Sequence, residues 1–207
     1  MSQVFKIHPR NPQLHLLRQV AQQLMKGALA VYPTDSAYAL GCQLTNKEGI
    51  QRLRQIRQLN SKHPLTVVCR DIAEVAHYAQ LDDSTFRLLK AYTPGPYTFL
   101  LPATKQIPKY LAQMNQKKVI GIRIPDHIIL HDLLEMLEVP LVTSTLILPG
   151  AELPLLEPEA IHDMLGRRVD LIIDGGSSGL DLTTIIDLVE GYPKIIREGK
   201  GDITPFK

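Results

Sequence analysis

The chain has 207 residues, of which 44% are hydrophobic and 21% charged, and its formal net charge is +2. These values exclude a disordered or fibrous chain and are typical of a folded globular protein. The sequence contains no apolar run long enough to cross a bilayer, and its first residues lack the apolar core of a secretory signal. We therefore expect a cytoplasmic protein with no membrane partner.

The two cysteines, Cys42 and Cys69, are too few to hold a metal cluster. Both adjoin apolar runs, where a free thiol behaves as a small hydrophobic group. We expect both to be reduced, and we predict no metal site formed by the protein alone. The small positive charge permits nucleic-acid binding without indicating it.

The spacing of apolar residues predicts alternating helices and strands in the first half of the chain. A first helix follows the capping pair Asn11 and Pro12, turns Leu14, Leu17 and Leu24 inward, and ends at Gly27. The other predicted elements are a strand over 28–32, a helix from Asn46, a buried strand over 65–69, a helix from Asp71, and a helix from Asp82 or Asp83 with Phe86, Leu88 and Leu89 inside.

The second half of the chain continues the alternation. Asp126 is predicted to cap a helix, and the segments 184–188 and 194–197 flank a turn typical of an antiparallel hairpin. The other predicted elements are strands over 97–101, 119–124, 140–143 and 169–173 and helices over 107–113 and 158–165. Because no linker or repeat divides this pattern, we predict one α/β domain over 1–207 with a mixed sheet.

Hydroxyl groups and arginines are concentrated where the predicted strands begin or end. They occur at 33–36, Arg123, 143–145, 183–184 and 197–199. Ligands of open α/β sheets bind beyond the strand ends, and arginine forks with hydroxyl donors suit carboxylates and phosphates. The sequence therefore predicts an anionic small-molecule ligand at such an edge.

Other kinds of site fit the sequence less well. The phosphate-binding loop, the dinucleotide-binding glycine motif and the serine-hydrolase elbow do not occur. His127 and His131 lie four residues apart on a predicted helix, but the glutamate that a zinc protease needs is absent, so we expect exposed histidines. The segment Thr-Pro-Gly-Pro-Tyr-Thr-Phe at 93–99 predicts a sharp turn whose main-chain amides could approach an anion.

Six motifs in a fixed order resemble the YrdC/YciO family, most closely its YciO branch. They are Tyr-Pro-Thr-Asp-Ser-Ala-Tyr-Ala-Leu-Gly-Cys at 32–42, Thr-Pro-Gly-Pro-Tyr-Thr at 93–98, Gly-Ile-Arg-Ile-Pro at 121–125, and the later Asp-Gly-Gly, Thr-Thr-Ile-Ile-Asp and Arg-Glu-Gly. The resemblance covers essentially the whole chain. It implies a twisted, mixed open sheet with helices packed around a positively charged concave cavity.

The resemblance also implies an activity, that of a threonylcarbamoyl-AMP synthase. Such enzymes join ATP, L-threonine and bicarbonate and release pyrophosphate, commonly with Mg²⁺ on the phosphates, for the N6-threonylcarbamoyladenosine modification of tRNA. No catalytic side chain is assigned. By position, the implied substrate-binding residues are Thr34, Ser36, Tyr38, Arg123, the main chain near Val142, and Thr183. The implied nucleotide-binding residues are Arg57, His63, Ser144 and Arg197.

Three positions depart from the family pattern. A Lys-x-Arg motif of the synthases corresponds here to Arg57-Gln58-Leu59, their Ser-Ala-Asn becomes Ser144-Thr145-Leu146, and Val68 replaces a histidine found in many members. Each lost charge-assisted contact costs about 1.5 to 3 kcal/mol, so we expect an attenuated activity. The alternative is a protein that binds double-stranded RNA or tRNA on its basic concave surface without efficient synthase activity.

Overall fold

The computed structural model describes residues 1–60, 63–112 and 118–207, which form a ten-stranded mixed sheet with helices on both faces. In chain order the strands are β1 (Gln3–Lys6), β2 (Ala30–Tyr32), β3 (Ala39–Gln43), β4 (Thr66–Val68), β5 (Tyr97–Pro102), β6 (Val119–Arg123), β7 (Leu141–Thr145), β8 (Leu171–Asp174), β9 (Thr184–Asp187) and β10 (Lys194–Arg197). The helices are α1 (Leu14–Met25), α2 (Lys47–Arg57), α3 (Ile72–Tyr78), α4 (Asp83–Tyr92), α5 (Lys109–Ala112), α6 (Ile128–Glu135) and α7 (Pro158–Leu165), and a 3-10 turn covers Thr204–Phe206.

The strands lie in the order β1-β8-β2-β3-β7-β4-β6-β5-β9-β10, so β1 and β10 are the edges. Four pairs are parallel, namely β1 with β8, β2 with β8, β4 with β6 and β5 with β9. The other five pairs are antiparallel, including the hairpin of β9 and β10. The predicted mixed sheet and its C-terminal hairpin are confirmed.

The sheet separates two hydrophobic clusters, because successive side chains of a strand point to opposite faces. In β2, Val31 belongs to one cluster, whereas Ala30 and Tyr32 belong to the other. The first face, which we call the covered face, packs against α2, α3, α4 and α7. The second, which we call the open face, packs against α1 and α6 alone. In the described residues, no helix is long and apolar enough to span a membrane.

Most predicted helices begin where their capping residues indicated. The side chain of Asn46 accepts a hydrogen bond from the Gly49 amide, Asp71 caps α3 and Asp82 caps α4 in the same way. Helix α7 begins with Pro158, as expected for a proline at the first helical position. The predicted helix over 107–113 is observed at Lys109–Ala112, and residue 113 lies outside the described residues.

Two strands were missed by the sequence analysis for opposite reasons. Strand β1 is an edge strand in which only Phe5 is buried, so its hydrophobic pattern is weak. Strand β3 is buried at all five residues, and its composition, Ala-Leu-Gly-Cys-Gln, lacks the β-branched residues that mark strands. Both strands form because the neighbouring β8, β2 and β7 supply main-chain partners.

Two predicted caps and two inward side chains are wrong. Helix α1 begins after Gln13, and the main-chain amide of Asn11 instead donates to the His8 ring. Helix α6 begins after His127 with no side-chain cap. The side chains of Leu14 and Phe86 are 48% and 44% exposed. Leu14 lies in the first turn of α1, and in α4 the buried residues are Thr85 and Leu89, so the adjacent Phe86 points away from the core.

The cap at Asn46 is expected to contribute measurably to stability. Its amide group joins α2 to the turn that follows α1, because Oδ1 accepts from the Gly49 amide at 2.9 Å and Nδ2 donates to the Gly27 carbonyl at 2.7 Å. Asn46→Ala should lower the free energy of unfolding by about 1–2 kcal/mol in urea titrations. The control Asn11→Ala, at an exposed position with no cap, should change it by less than about 0.5 kcal/mol. Equal effects of the two substitutions would contradict this assignment.

Candidate functional site

A cavity of about 170 Å³ lies on the open face of the sheet, beyond the part that α1 and α6 cover. Its wall is formed by residues from seven strands and from the turns that precede β3, β4 and β9. The lining residues are Ala37, Ala39, His63, Pro64, Thr66, Thr98, Leu100, Gly121, Arg123, Thr143, Ser144, Thr145, Thr183, Ile185 and Arg197.

Strand alternation explains which residues reach this cavity. Residues two apart line it on several strands: 98 and 100 on β5, 121 and 123 on β6, and 143 and 145 on β7. Strand β4 shows the boundary, because Val68 packs under α1 and α6 whereas Thr66, two residues earlier, faces the cavity. Glycine at 121 leaves room for Thr66, whose hydroxyl would lie 2.8 Å from an added Cβ.

The cavity therefore lies on the face of the sheet. The sequence analysis expected a ligand site beyond the strand ends. The segment 93–99 contributes differently than predicted. The Gly95 amide donates to the Ile124 carbonyl at 2.9 Å, so it is already bonded within the protein. Thr98 is the residue of that segment that lines the cavity.

Arg123 ends β6 with its side chain only 6% exposed. Its Nη2 donates to the carboxylate of Asp35, to the Ser36 hydroxyl at 3.0 Å and to the Thr34 hydroxyl at 3.3 Å. Burial lowers the pKa of Arg123, and the charge of Asp35 opposes that shift. Thr34 and Ser36, both predicted to bind substrate, are absent from the cavity lining and instead hold Arg123.

Arg197 lines the cavity from the edge strand β10 and is half-buried. Its Nε and Nη2 donate to the Thr183 carbonyl at 3.1 and 2.8 Å, and Nη2 also reaches the Thr183 hydroxyl at 3.1 Å. That hydroxyl is 2.9 Å from the Thr98 hydroxyl. Burial, and then the positive charge of Arg123, lower the pKa of Arg197, so the two guanidinium groups are close enough to sense each other.

The rim of the cavity brings together the other predicted nucleotide-binding residues. The Nε of Arg57, at the end of α2, donates to the Ser144 hydroxyl at 3.4 Å, and both His63 and Ser144 line the cavity. Burial lowers the pKa of His63, and the charges of Arg54 and Arg57 lower it further. His63 is therefore a neutral hydrogen-bonding group at pH 7.

Two residues at predicted substrate-binding positions have side chains on the covered face, although only the main chain was predicted to bind near Val142. Tyr38 and Val142 are fully buried in the cluster opposite the cavity. The Tyr38 hydroxyl donates to the Gly176 carbonyl at 2.8 Å and accepts from the Gly175 amide at 3.2 Å. Burial raises the pKa of Tyr38 to about 12. Its geometry is that of a packing residue that fixes the loop after β8.

Four threonines outside the set implied by the resemblance line the cavity, namely Thr66, Thr98, Thr143 and Thr145. The concentration of hydroxyl groups at 143–145 already indicated Thr143 and Thr145, and Thr98 belongs to the segment 93–99. Thr66 lies within the buried strand predicted over 65–69 and carried no such signal. His127 also differs from expectation. It is partly buried, its Nδ1 has no hydrogen-bond partner among the described residues, and burial lowers its pKa.

The departures from the family pattern lie largely in the core. Leu146 is fully buried on the covered face, and its amide donates to the Tyr38 carbonyl at 2.9 Å. Leu59 packs partly buried against the same cluster. Neither side chain lines the cavity. At both positions, apolar packing takes the place of the polar contact that the resemblance implied.

The cavity does not supply ligands for Mg²⁺. Proteins hold this ion through one or two carboxylates together with substrate phosphates. Over the described ranges, the cavity lining contains no carboxylate and the chain has no cluster of three His, Cys, Asp or Glu residues. The residues present do not fit a protein-held magnesium site, and we derive no step through the metal.

Comparisons with known proteins agree with this fold. The sequence model of the Sua5/YciO/YrdC family, described as telomere recombination, matches residues 22–199. YciO of Escherichia coli, an uncharacterized protein, is 47% identical over 100% of both chains, and its crystal structure has a TM-score of 0.95. A putative threonylcarbamoyl-AMP synthase of Methanocaldococcus jannaschii is 28% identical over 96% of this chain and 93% of its own. The structure of P. abyssi Sua5 complexed with L-threonine shares the fold, with a TM-score of 0.87 at 23% identity over 96% of this chain and 58% of that one.

The position of Tyr38 leads to a prediction about stability. Tyr38→Phe removes a hydroxyl with two main-chain partners in the loop after β8, so it should lower the free energy of unfolding by about 1–3 kcal/mol. Tyr192→Phe is the control, because Tyr192 is 63% exposed. Thermal and urea unfolding of the two variants provide the measurement. Wild-type stability of Tyr38→Phe would contradict the packing role.

Proposed function

We propose that this chain, which belongs to the Sua5/YciO/YrdC family, binds ATP and L-threonine in the open-face cavity and joins them, with bicarbonate, by adenylyl transfer. The product would be threonylcarbamoyl-AMP with release of pyrophosphate. Relatives named as threonylcarbamoyl-AMP synthases support the reaction class, and the threonine in the P. abyssi Sua5 structure supports the amino acid.

The observation that carries this proposal is the composition of the cavity wall. Two arginines and six serine or threonine hydroxyls face one space that contains no carboxylate among its described lining residues. Arginine forks and hydroxyl groups are the donors that carboxylates and phosphates require. Such a wall favours a ligand with several anionic oxygens.

The proposed reaction suits this wall. Bicarbonate first carboxylates the threonine amine, with loss of water, to give a carbamate. A carbamate oxygen then bonds to the α-phosphorus of ATP while pyrophosphate leaves, and this transfer depends on positioning and charge stabilisation more than on a protein nucleophile. We assign Arg123 and Thr183 to the amino-acid end. Arg197, Ser144 and His63 form the nucleotide end, with Arg57 at its rim.

Thr183 connects the two ends, since its hydroxyl contacts both Arg197 and Thr98. A shift of this residue would therefore disturb both substrates at once.

We also propose that the activity is attenuated. Leu59 and Leu146 offer no polar group to the nucleotide, and the loss of one charge-assisted contact corresponds to roughly a tenfold to hundredfold weaker interaction.

The alternative proposal, binding of double-stranded RNA or tRNA, has less support from the structure. The three arginines of α2 already have protein partners. Arg52 forms an ion pair with Asp170 at 2.7 Å, Arg54 donates to the Asn60 and His63 carbonyls, and Arg57 donates to Ser144. An RNA-binding surface depends on cations that can exchange counterions for phosphates.

The proposed reaction is tested with the purified chain. Incubation with ATP, L-threonine and bicarbonate should yield pyrophosphate and a threonylcarbamoyl adenylate detectable by mass spectrometry, although slowly. Arg197→Gln should reduce the rate at least about tenfold, because it removes a charge-assisted contact to the nucleotide. The matched control Arg167→Gln changes an exposed arginine outside the cavity and should retain the wild-type rate.

Two results would decide against this assignment. One is the absence of both products even at high protein concentration. The other is an equal loss of rate in the two arginine variants. A salt-sensitive RNA mobility shift in a preparation that forms neither product would favour the alternative proposal.

A further inference from the structure

The two arginines of the cavity differ in their electrostatic surroundings. Arg123 forms a buried ion pair with Asp35, whose side chain is 9% exposed. Among the described residues, Arg197 has no carboxylate partner, and its bonds go to the uncharged Thr183. The charge of Arg123 is thus compensated by a carboxylate, whereas no carboxylate among the described residues compensates the charge of Arg197.

Asp35 lies behind Arg123 and does not line the cavity. Its Oδ1 accepts from Arg123, and its Oδ2 is buried without a hydrogen-bond partner in the described part of the chain. Two other groups approach it. Burial lowers the pKa of His127, which is therefore neutral at pH 7, and the exposed Lys200 donates to the main-chain carbonyl of Asp35.

We propose that Asp35 is a specificity-determining residue that cancels the charge of Arg123, so that, of the two arginines lining the cavity, Arg197 anchors the anionic group of the ligand. The Arg123 end then accepts a group with little net charge, such as a zwitterionic amino acid. This assignment deepens the proposed function and rests on it only in taking the cavity as the ligand site.

The physical basis of this proposal is that charges interact strongly inside a protein, where the dielectric constant is lower than in water. A buried guanidinium in contact with a carboxylate presents a dipole to a ligand, whereas an unpaired guanidinium presents a full positive charge. A phosphoryl group therefore gains more at Arg197 than at Arg123. The same asymmetry keeps a phosphate from occupying the amino-acid end of the cavity.

Calorimetric titration of the full chain with inorganic pyrophosphate tests the proposal without any catalytic turnover. The wild-type chain should bind pyrophosphate, Arg197→Gln should bind it at least about tenfold more weakly, and Arg167→Gln should match the wild type. Asp35→Asn should bind about tenfold more tightly, because Arg123 then offers a second uncompensated charge. A residue that only maintains the fold would give a loss on substitution and not a gain.

Asp35→Asn leaves a charge buried without its partner and can therefore prevent folding, which circular dichroism and thermal unfolding report. The double variant Asp35→Asn with Arg123→Gln removes both charges and should bind pyrophosphate within about twofold of the wild type.

Four results would overturn the proposal. They are no pyrophosphate binding by the wild type, unchanged binding by Arg197→Gln, equal or weaker binding by a folded Asp35→Asn, and a tenfold loss in the double variant. Failure of the adenylation assay alone would leave these binding results intact, so the two proposals fail separately.

Discussion

A β-strand must place successive side chains on opposite faces of its sheet, and this constraint determines which residues line the candidate ligand cavity. The covered face carries α2, α3, α4 and α7, so most of its strand residues are apolar. The open face carries α1 and α6 over only part of its width. The uncovered part needs polar side chains, and the threonines of β4, β5 and β7 supply them. A helix packed there would require apolar residues at the same positions.

Arg123 links this exposed wall to the packing beneath it. Its guanidinium joins the end of β6 to the turn 33–36, and the same turn is held from the other side by Lys200 and by close packing of Gly179 against the Ser36 carbonyl. Breaking a buried ion pair by removing one partner costs about 3–5 kcal/mol. The turn is therefore fixed by interactions that also determine how Arg123 meets a ligand.

The chain belongs to the Sua5/YciO/YrdC family and has a threonylcarbamoyl-AMP synthase-like fold. At several positions its residues differ from those that the family resemblance implied. Leu146 and Leu59 lie against the covered-face cluster, so these changes strengthen packing where the resemblance implied polar contacts. The cavity nevertheless keeps Arg123, Thr183, Ser144 and Arg197 around one space. A wall of arginine and hydroxyl donors with fewer polar groups is consistent with the attenuated activity that we propose.

The sequence by itself determined the elements with strong local signals. The caps at Asn46, Asp71 and Asp82, the hairpin of β9 and β10 and the order of the family motifs could all be predicted, because each depends on residues close together in the chain. Strands β1 and β3 could not be predicted, since they form through distant neighbours. Tertiary structure also decided which side chains reach the cavity. Tyr38 and Ala37 are adjacent in sequence but lie on opposite faces, and the pairing of Arg123 with Asp35 joins residues far apart in the chain. Which part of each face the helices cover distinguishes a buried position from one that faces the cavity.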